Sequence, residues 1–179
     1  RHAAAHWRDR AKAGAKPDAR IINTSSGAGL QGSVGQGAYS AAKAAIAALT
    51  LVQAAELRRY GITANAIAPA ARTRMTETVF ADMMAKPESG FDAMAPANVA
   101  PLVVWLGSAE SCEVTGQVFE IAGGKLNVAD GWRTGPGVDK GLARGREIDR
   151  QQRARVVPRE RRARARGGGG GGNQVPGVA

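Results

Sequence analysis

The sequence has 179 residues and a formal net charge of +10 at pH 7, and 44% of its residues are hydrophobic. This length and composition suit one ordinary globular domain with a hydrophobic core, and the single cysteine excludes an intrachain disulfide framework. Ten arginines and only three acidic residues lie in residues 141–179, so most of the excess positive charge belongs to the C-terminal stretch. The charge is therefore no argument for nucleic-acid binding by the rest of the chain.

The N-terminal part of the chain predicts alternating helices and strands. An alanine-rich helix is expected over residues 3–14, followed by a short buried strand over 20–26. After a glycine-rich loop, a long helix is expected over 39–61 and a second buried strand over 62–69. This order predicts parallel strands joined by crossover helices.

The following part continues the same alternation. Residues 70–97 predict irregular structure with helical pieces, residues 98–108 a helix, and residues 118–121 a third strand that runs into a glycine pair. Ligands of parallel α/β sheets bind beyond the carboxyl ends of the strands. The polar residues that follow each strand are therefore the candidates for function.

The glycine-rich loop contains a formal G-x-G-x-x-G match at Gly27, Gly29 and Gly32. A dinucleotide fingerprint requires a tight turn that opens directly into a helix, and an acidic residue about 20 positions later. Several residues separate Gly32 from the long helix, and the nearest acid, Glu56, lies inside that helix. We therefore do not interpret this loop as a pyrophosphate-binding loop.

Ser26, Tyr39 and Lys43 form the candidate catalytic group. Tyr39 and Lys43 are four residues apart at a helix start, so their side chains share one face. A nearby ammonium group favours the ionised phenolate, which improves a phenol as an acid/base near neutral pH. Ser26 follows a strand and could hold a substrate oxygen while Tyr39 exchanges a proton. A Tyr–Lys pair alone is usually a surface pair, but its combination with Ser26 and the glycine-rich loop is much more specific.

These residues, with the stretches GQGAYSAAK, ANAIAP and TGQVFEIAGG, resemble the short-chain dehydrogenase/reductase family over residues 1–136. The resemblance implies an NAD(P)-dependent oxidoreductase with a Rossmann-like doubly wound parallel sheet. In it Tyr39 would be the acid/base, Lys43 would bond the nicotinamide ribose, and Ser26 would orient the substrate. The family's G-x-x-x-G-x-G fingerprint is not in the sequence, so the chain resembles the C-terminal half of such a domain. We expect it to bind no dinucleotide tightly and to be poorly stable alone.

Two departures from the family pattern concern the cofactor. The family's Pro-Gly is Pro69-Ala70 here, and the threonine that bonds the carboxamide is displaced, with Thr73 as the nearest candidate and Thr76 as the next. The expected cofactor is NAD, with NADP as the alternative, because the strand end that selects between them is missing. No metal site is predicted. The resemblance implies cofactor binding by Tyr39, Lys43, Pro69, Ala70 and Thr73.

A narrower resemblance concerns the substrate. The stretches IAPAARTRMTETV, NVAPLVVWLGS and SCEVTGQVFEIAGGK are similar to the (3R)-hydroxyacyl-CoA dehydrogenases of peroxisomal multifunctional β-oxidation enzymes and their bacterial relatives. This implies an acyl thioester substrate; the alternative is a 3-oxoacyl-ACP reductase or another ketoreductase. Another class of function is an inactive half-domain that serves as an assembly module. The resemblance implies a homo-oligomer formed through helices 3–14 and 39–60.

Residues 137–179 form a low-complexity tail rich in Arg and Gly. We interpret the tail as disordered or as the product of a shifted reading frame. It lacks aromatic residues for base stacking, so any binding of nucleic acid would be nonspecific. The single cysteine suits a reducing compartment, and no apolar run approaches the ~20 residues of a membrane span. We therefore expect a cytoplasmic protein without a membrane partner.

Overall fold

One mixed sheet forms the centre of the computed structural model, which describes residues 1–134. The predicted tail over 137–179, and the predicted domain end at residue 136, lie outside the described residues. The sheet has the order β1-β2-β3-β4, in which the first three strands are parallel and the last is antiparallel. The strands are β1 (Ala19–Thr24), β2 (Ile62–Ala70), β3 (Val118–Ala122) and β4 (Lys125–Val128).

Within residues 1–134, five α-helices and three single 3-10 turns connect and cover these strands. The helices are α1 (His2–Lys12), α2 (Gly27–Gln31), α3 (Gly37–Leu57), α4 (Arg74–Val79) and α5 (Ala100–Gly107). The 3-10 turns are Arg58–Tyr60, Pro96–Asn98 and Ala109–Ser111. The three predicted strands are confirmed, with boundary differences of a few residues. So are the helices predicted over residues 3–14, 39–61 and 98–108.

The core lies on both faces of β2, which is buried from Ile62 through residue 68, because strands pair with both of its edges and helices pack on its faces. One cluster joins Ile67 of β2 and Phe119 of β3 to Leu106 of α5. The other joins Ile62 to Leu57 at the end of α3. β1 is only half-buried, and its outer edge has no strand partner within residues 1–134.

The expectation of a three-stranded sheet is wrong, because a hairpin adds β4. Gly123 and Gly124 form its two-residue turn between β3 and β4. Gly123 has φ +58°, in the left-handed region that favours glycine. A Cβ at this position would also come within 3.2 Å of the Ala93 Cβ. The turn therefore depends on Gly123 for its backbone conformation and for the space beside Ala93.

The long helix α3 ends as predicted, through a 3-10 turn to Gly61, whose φ of +72° is left-handed. It packs on the sheet through Thr50, Ala54 and Leu57. The sequence was expected to contain no segment long and apolar enough to span a membrane. By the criteria of length and composition alone, that expectation is wrong. Residues 37–60 form a continuous helical stretch of 24 residues that contains an 18-residue window with a mean hydropathy of 1.2, and 11% of that window is buried.

Candidate active site at the carboxyl end of the sheet

After the end of β1, the chain stays beside β2 for one more residue. The Ser25 amide donates to the Ile67 carbonyl oxygen at 2.7 Å, which continues the pairing one residue past the strand. Ser26 then caps α2, and its hydroxyl accepts a hydrogen bond from the Ala28 amide at 3.2 Å. The glycine-rich stretch predicted as a loop therefore contains a short helix. Gly32 ends this short helix, and residues 33–36 still separate it from α3, as expected from the sequence.

The second glycine of that pattern has a different role from pyrophosphate binding. A Cβ on Gly29 would lie 2.6 Å from the Lys43 carbonyl carbon and 2.7 Å from the Ala44 nitrogen. Real Cβ atoms do not approach backbone this closely, so Gly29 allows α2 to contact the backbone of α3. The space that a side chain at position 29 would need is occupied by α3. Gly29 therefore allows the two helices to pack closely.

Tyr39 and Lys43 lie in the first two turns of α3, side by side at the carboxyl end of β1. The Lys43 Nζ lies 5.6 Å from the centroid of the Tyr39 ring. It also donates a hydrogen bond to the Thr24 carbonyl oxygen at 3.0 Å. Tyr39 is 45% exposed, so a ligand can reach this residue from solvent. The structure therefore places the predicted acid/base beside the predicted cation.

The donors at this position fit the sugar of a nucleotide cofactor. An ammonium group has three N–H donors, and only one of those on Lys43 is directed at Thr24. The remaining donors and the exposed Tyr39 hydroxyl suit hydroxyl groups of a ribose. Such residues could hold the sugar next to the end of the sheet.

Ser26 lies at the same end of the sheet but makes no hydrogen bond to the Tyr39 phenol within residues 1–134. The polar contact of its hydroxyl is the helix cap at Ala28. A hydroxyl can accept one hydrogen bond and still donate another, so the cap leaves the Ser26 hydrogen available to a substrate oxygen. Its role beside Tyr39 stays a prediction.

The residues predicted to line the cofactor lie at the end of β2 and just after it. Pro69 and Ala70 are the last two residues of the strand, and Ala70 is exposed at its end. Thr73 caps α4 in a capping box, in which its hydroxyl accepts from the Thr76 amide at 3.2 Å. The Thr76 hydroxyl in turn accepts from the Thr73 amide at 2.7 Å. Both threonines therefore have local partners, and their part in binding a cofactor stays a prediction.

One contact near this end was missed by sequence reasoning. Arg72, two residues after β2, forms an ion pair with Asp92 and donates to the Met84 carbonyl oxygen at 2.8 Å. Its own amide donates to the Met94 carbonyl oxygen at 2.7 Å. These contacts attach the irregular segment over residues 80–95 to the end of the sheet. No local pattern in the sequence signals a pair that is 20 residues apart.

Comparison with known proteins identifies relatives over most of the described residues. A family model described as enoyl-(acyl carrier protein) reductase matches residues 2–125. Hydroxyacyl-CoA dehydrogenase ChsB1 of Mycobacterium tuberculosis is 48% identical over 130 residues, which are 72% of this chain and 41% of that protein. Peroxisomal multifunctional enzyme type 2 of Mus musculus is 48% identical over 105 residues, or 59% of this chain and 13% of that protein.

Among solved structures, a short chain dehydrogenase from Mycobacterium avium is similar with a TM-score of 0.73 and 63% sequence identity. The similarity covers 88% of this chain and 52% of that one. The chain therefore spans about half or less of the length of these relatives.

Proposed function

Because the chain belongs to the short-chain dehydrogenase/reductase family, we propose that it forms the proton-transfer part of a nicotinamide-dependent oxidoreductase. The family resemblance and the Rossmann-like α/β fold class predicted from the sequence are both confirmed. The proposed reaction is the interconversion of a 3-hydroxyacyl and a 3-oxoacyl thioester, with coenzyme A as the carrier. The name of the M. tuberculosis relative, a hydroxyacyl-CoA dehydrogenase, supports this substrate class.

The observation that carries the proposal is the position of Lys43 between Tyr39 and the end of β1. During oxidation the Tyr39 phenolate would accept the proton of the substrate hydroxyl while the ammonium of Lys43 stabilises the negative charge. The Ser26 hydroxyl would donate to the substrate oxygen and hold it near the phenol. In the reverse direction Tyr39 returns its proton to the oxygen of the reduced carbonyl.

A bound nicotinamide supplies the hydride donor or acceptor for this chemistry. We propose that Tyr39 and Lys43 bond its ribose and that Pro69, Ala70 and Thr73 line its ring. We propose NAD over NADP on the similarity to hydroxyacyl-CoA dehydrogenases. A comparison of kcat/KM for NADH and NADPH checks this preference, and a higher value for NADPH would reverse it.

The test uses a chimera, because the chain spans 52% of the M. avium dehydrogenase. The part of that dehydrogenase that precedes the matched segment is joined ahead of Arg1, and acetoacetyl-CoA reduction is followed by the absorbance of NADH. Tyr39→Phe should lower kcat by at least about 100-fold, as expected for loss of a general acid. Tyr60→Phe, at the only other tyrosine, is the matched control and should retain activity. Equal activity of both variants would refute the proposed role of Tyr39.

The carrier is tested separately in the same chimera. We expect a higher kcat/KM for acetoacetyl-CoA than for the same acyl group on acyl carrier protein. The opposite order would favour the alternative of a 3-oxoacyl-ACP reductase, the activity named for a Vibrio harveyi relative that is 36% identical over 113 residues.

A second candidate function, assembly with another copy of the chain through α1 and α3, is favoured by exposed apolar side chains. Leu49, Leu51 and Val52 on α3 are each about half exposed, and α1 has no buried residue. Sedimentation velocity of the full chain should detect a dimer or larger oligomer that Leu51→Lys weakens. Val104→Lys, at an exposed apolar position on α5, is the control. A monomer that binds lipid vesicles through α3 would instead favour a membrane partner.

We also propose a cytoplasmic location. The single cysteine, Cys112, is exposed, and an exposed free thiol suits a reducing compartment. Fractionation of cells that express a tagged full chain tests this, and recovery with the membrane fraction would contradict it.

A further inference from the structure

We infer that Ser25 and Gly29 are positioning residues that hold Lys43 beside Tyr39. The importance of that position rests on the proposed function, whereas the contacts that establish it do not. Neither residue is among the predicted site residues. Both act through the backbone of Lys43.

Ser25 connects the sheet to α3. Its side chain is almost completely buried, with a residue exposure of 2%, and its hydroxyl donates to the Lys43 carbonyl oxygen at 2.8 Å. Its backbone amide is bonded to Ile67 of β2. A buried hydroxyl of this kind links the end of the sheet directly to the peptide group of Lys43. The second turn of α3 is therefore fixed relative to β1 and β2.

Gly29 sets the distance between α2 and α3 at the same residue. The nearest atoms to a Cβ on Gly29 all belong to Lys43 and Ala44, and they lie at 2.6–2.7 Å. Any side chain here would push α2 away from α3 or displace the second turn of α3. A Cβ on Gly27, two residues earlier in the same helix, would meet no atom within 4 Å. The steric requirement for glycine is thus specific to position 29.

The side chain of Lys43 is held from the same segment. Its Nζ bonds to the Thr24 carbonyl oxygen, the residue immediately before Ser25. Residues 24–29 therefore contact Lys43 at its carbonyl group, at its backbone near Ala44 and at its ammonium group. A displacement of about 1 Å at a site residue can cost about 100-fold in rate, so a shift of α3 here would disturb the Tyr39–Lys43 pair.

The test measures the reactivity of the Lys43 amine, which requires neither cofactor nor substrate. The full chain, and in parallel the chimera, receives a short pulse of acetic anhydride, and acetylation at each lysine is quantified by peptide mass spectrometry. Lys12, Lys16 and Lys86 are exposed and serve as internal references. Ser25→Ala should raise the ratio of Lys43 to reference acetylation about fivefold, the change expected from loss of one hydrogen bond. Ser25→Thr, which keeps the hydroxyl, should retain the wild-type ratio.

Gly29→Ala and Gly27→Ala form the matched pair. Both place the same residue in α2, but only Gly29→Ala should raise the Lys43 ratio. Unchanged ratios in folded Ser25→Ala and Gly29→Ala proteins would overturn the inference. If Gly29→Ala unfolds and raises labelling at every lysine, Ser25→Ala decides, because it removes one oxygen atom and adds no bulk. If both variants unfold while Gly27→Ala stays folded, the two residues are structural and the inference is overturned.

These outcomes are separate from those of the oxidoreductase test. An inactive chimera with selective changes at Lys43 would refute the proposed reaction and leave the positioning contacts standing. An active chimera with unchanged labelling would support the proposed reaction and refute the positioning role of Ser25 and Gly29.

Discussion

The guanidinium of Arg72 forms an ion pair with the carboxylate of Asp92 across the irregular segment that follows β2. The two side chains are 13% and 19% exposed, so water reaches little of either group. Arg72 also donates to the Met84 carbonyl oxygen, which places one side chain between two distant points of the chain. The segment over residues 80–95 has no strand or α-helix of its own, and these contacts attach it to the sheet.

We predict that Arg72→Met destabilises the chain by about 3 kcal/mol, because it leaves Asp92 mostly buried without its cation. The change is measured as the shift in free energy of unfolding in urea. The control is Glu113→Gln, which breaks the exposed pair with Arg58 and should change stability by less than about 1 kcal/mol. Equal effects of the two substitutions would contradict the prediction.

Gly61 ends the helical stretch that begins with α3, and its left-handed conformation makes it sensitive to substitution. Gly61→Ala should destabilise the chain by about 1–2 kcal/mol, because alanine is strained at φ +72° and its Cβ would lie 3.2 Å from the Pro17 carbonyl oxygen. Gly107→Ala in α5 meets no atom within 4 Å and should be neutral or slightly stabilising. Thermal unfolding of the two variants, compared with the parent chain, checks this difference in sign.

Asn65 in β2 is a buried amide with partners on both sides. Its Nδ2 donates to the Val114 carbonyl oxygen at 2.8 Å, and its Oδ1 accepts from the Gln117 amide at 3.1 Å. Asn65→Ala should cost about 2–3 kcal/mol, because it removes two hydrogen bonds made by a side chain that is 1% exposed. Asn65→Asp keeps the acceptor and loses the donor. We therefore expect its free energy of unfolding to differ from that of Asn65→Ala. Urea unfolding of both variants measures the two effects, and a neutral Asn65→Ala would refute the role of this amide.

We predict that the chain without an added N-terminal part binds NADH weakly. Among residues 1–134, the groups suited to the cofactor are those beside Tyr39 and Lys43, which would contact its ribose. Gly29 packs against α3, so it is not available to bind the pyrophosphate. Calorimetric titration should give no saturation at micromolar NADH. A dissociation constant in the micromolar range would contradict this prediction.

The sequence predicts the main elements because their signals are local. The buried strands β1, β2 and β3 are short apolar runs, and Gly61 ends the long helix where a C-terminal glycine is expected. The family resemblance was carried by Ser26 and by three short stretches, the first of which contains Tyr39 and Lys43. The structure brings those two side chains together, as their spacing on a helix requires.

Of the structural features that the sequence did not predict, one has a signal in the sequence and the others do not. β4 could have been predicted, since Gly123-Gly124 separates an apolar run from the alternating polar and apolar residues 125–128, a pattern typical of a hairpin. The role of Gly29 had no sequence signal of its own, because it depends on how closely α2 approaches α3 in three dimensions. The Arg72–Asp92 pair likewise depends on the path of an irregular segment. Such contacts follow from tertiary packing, which residue spacing does not specify.

The outer edge of β1 exposes backbone donors and acceptors that no strand within residues 1–134 satisfies. An edge of this kind is a template on which another strand can add, and native proteins usually cover or charge it. The self-association proposed for the apolar faces of α1 and α3 would therefore have a chemically distinct counterpart in main-chain hydrogen bonds at this edge. Substitutions on α3 would weaken only the contacts between apolar faces. A chain that stays monomeric at high concentration after such substitutions would need a β1 edge that is covered or protected by charge.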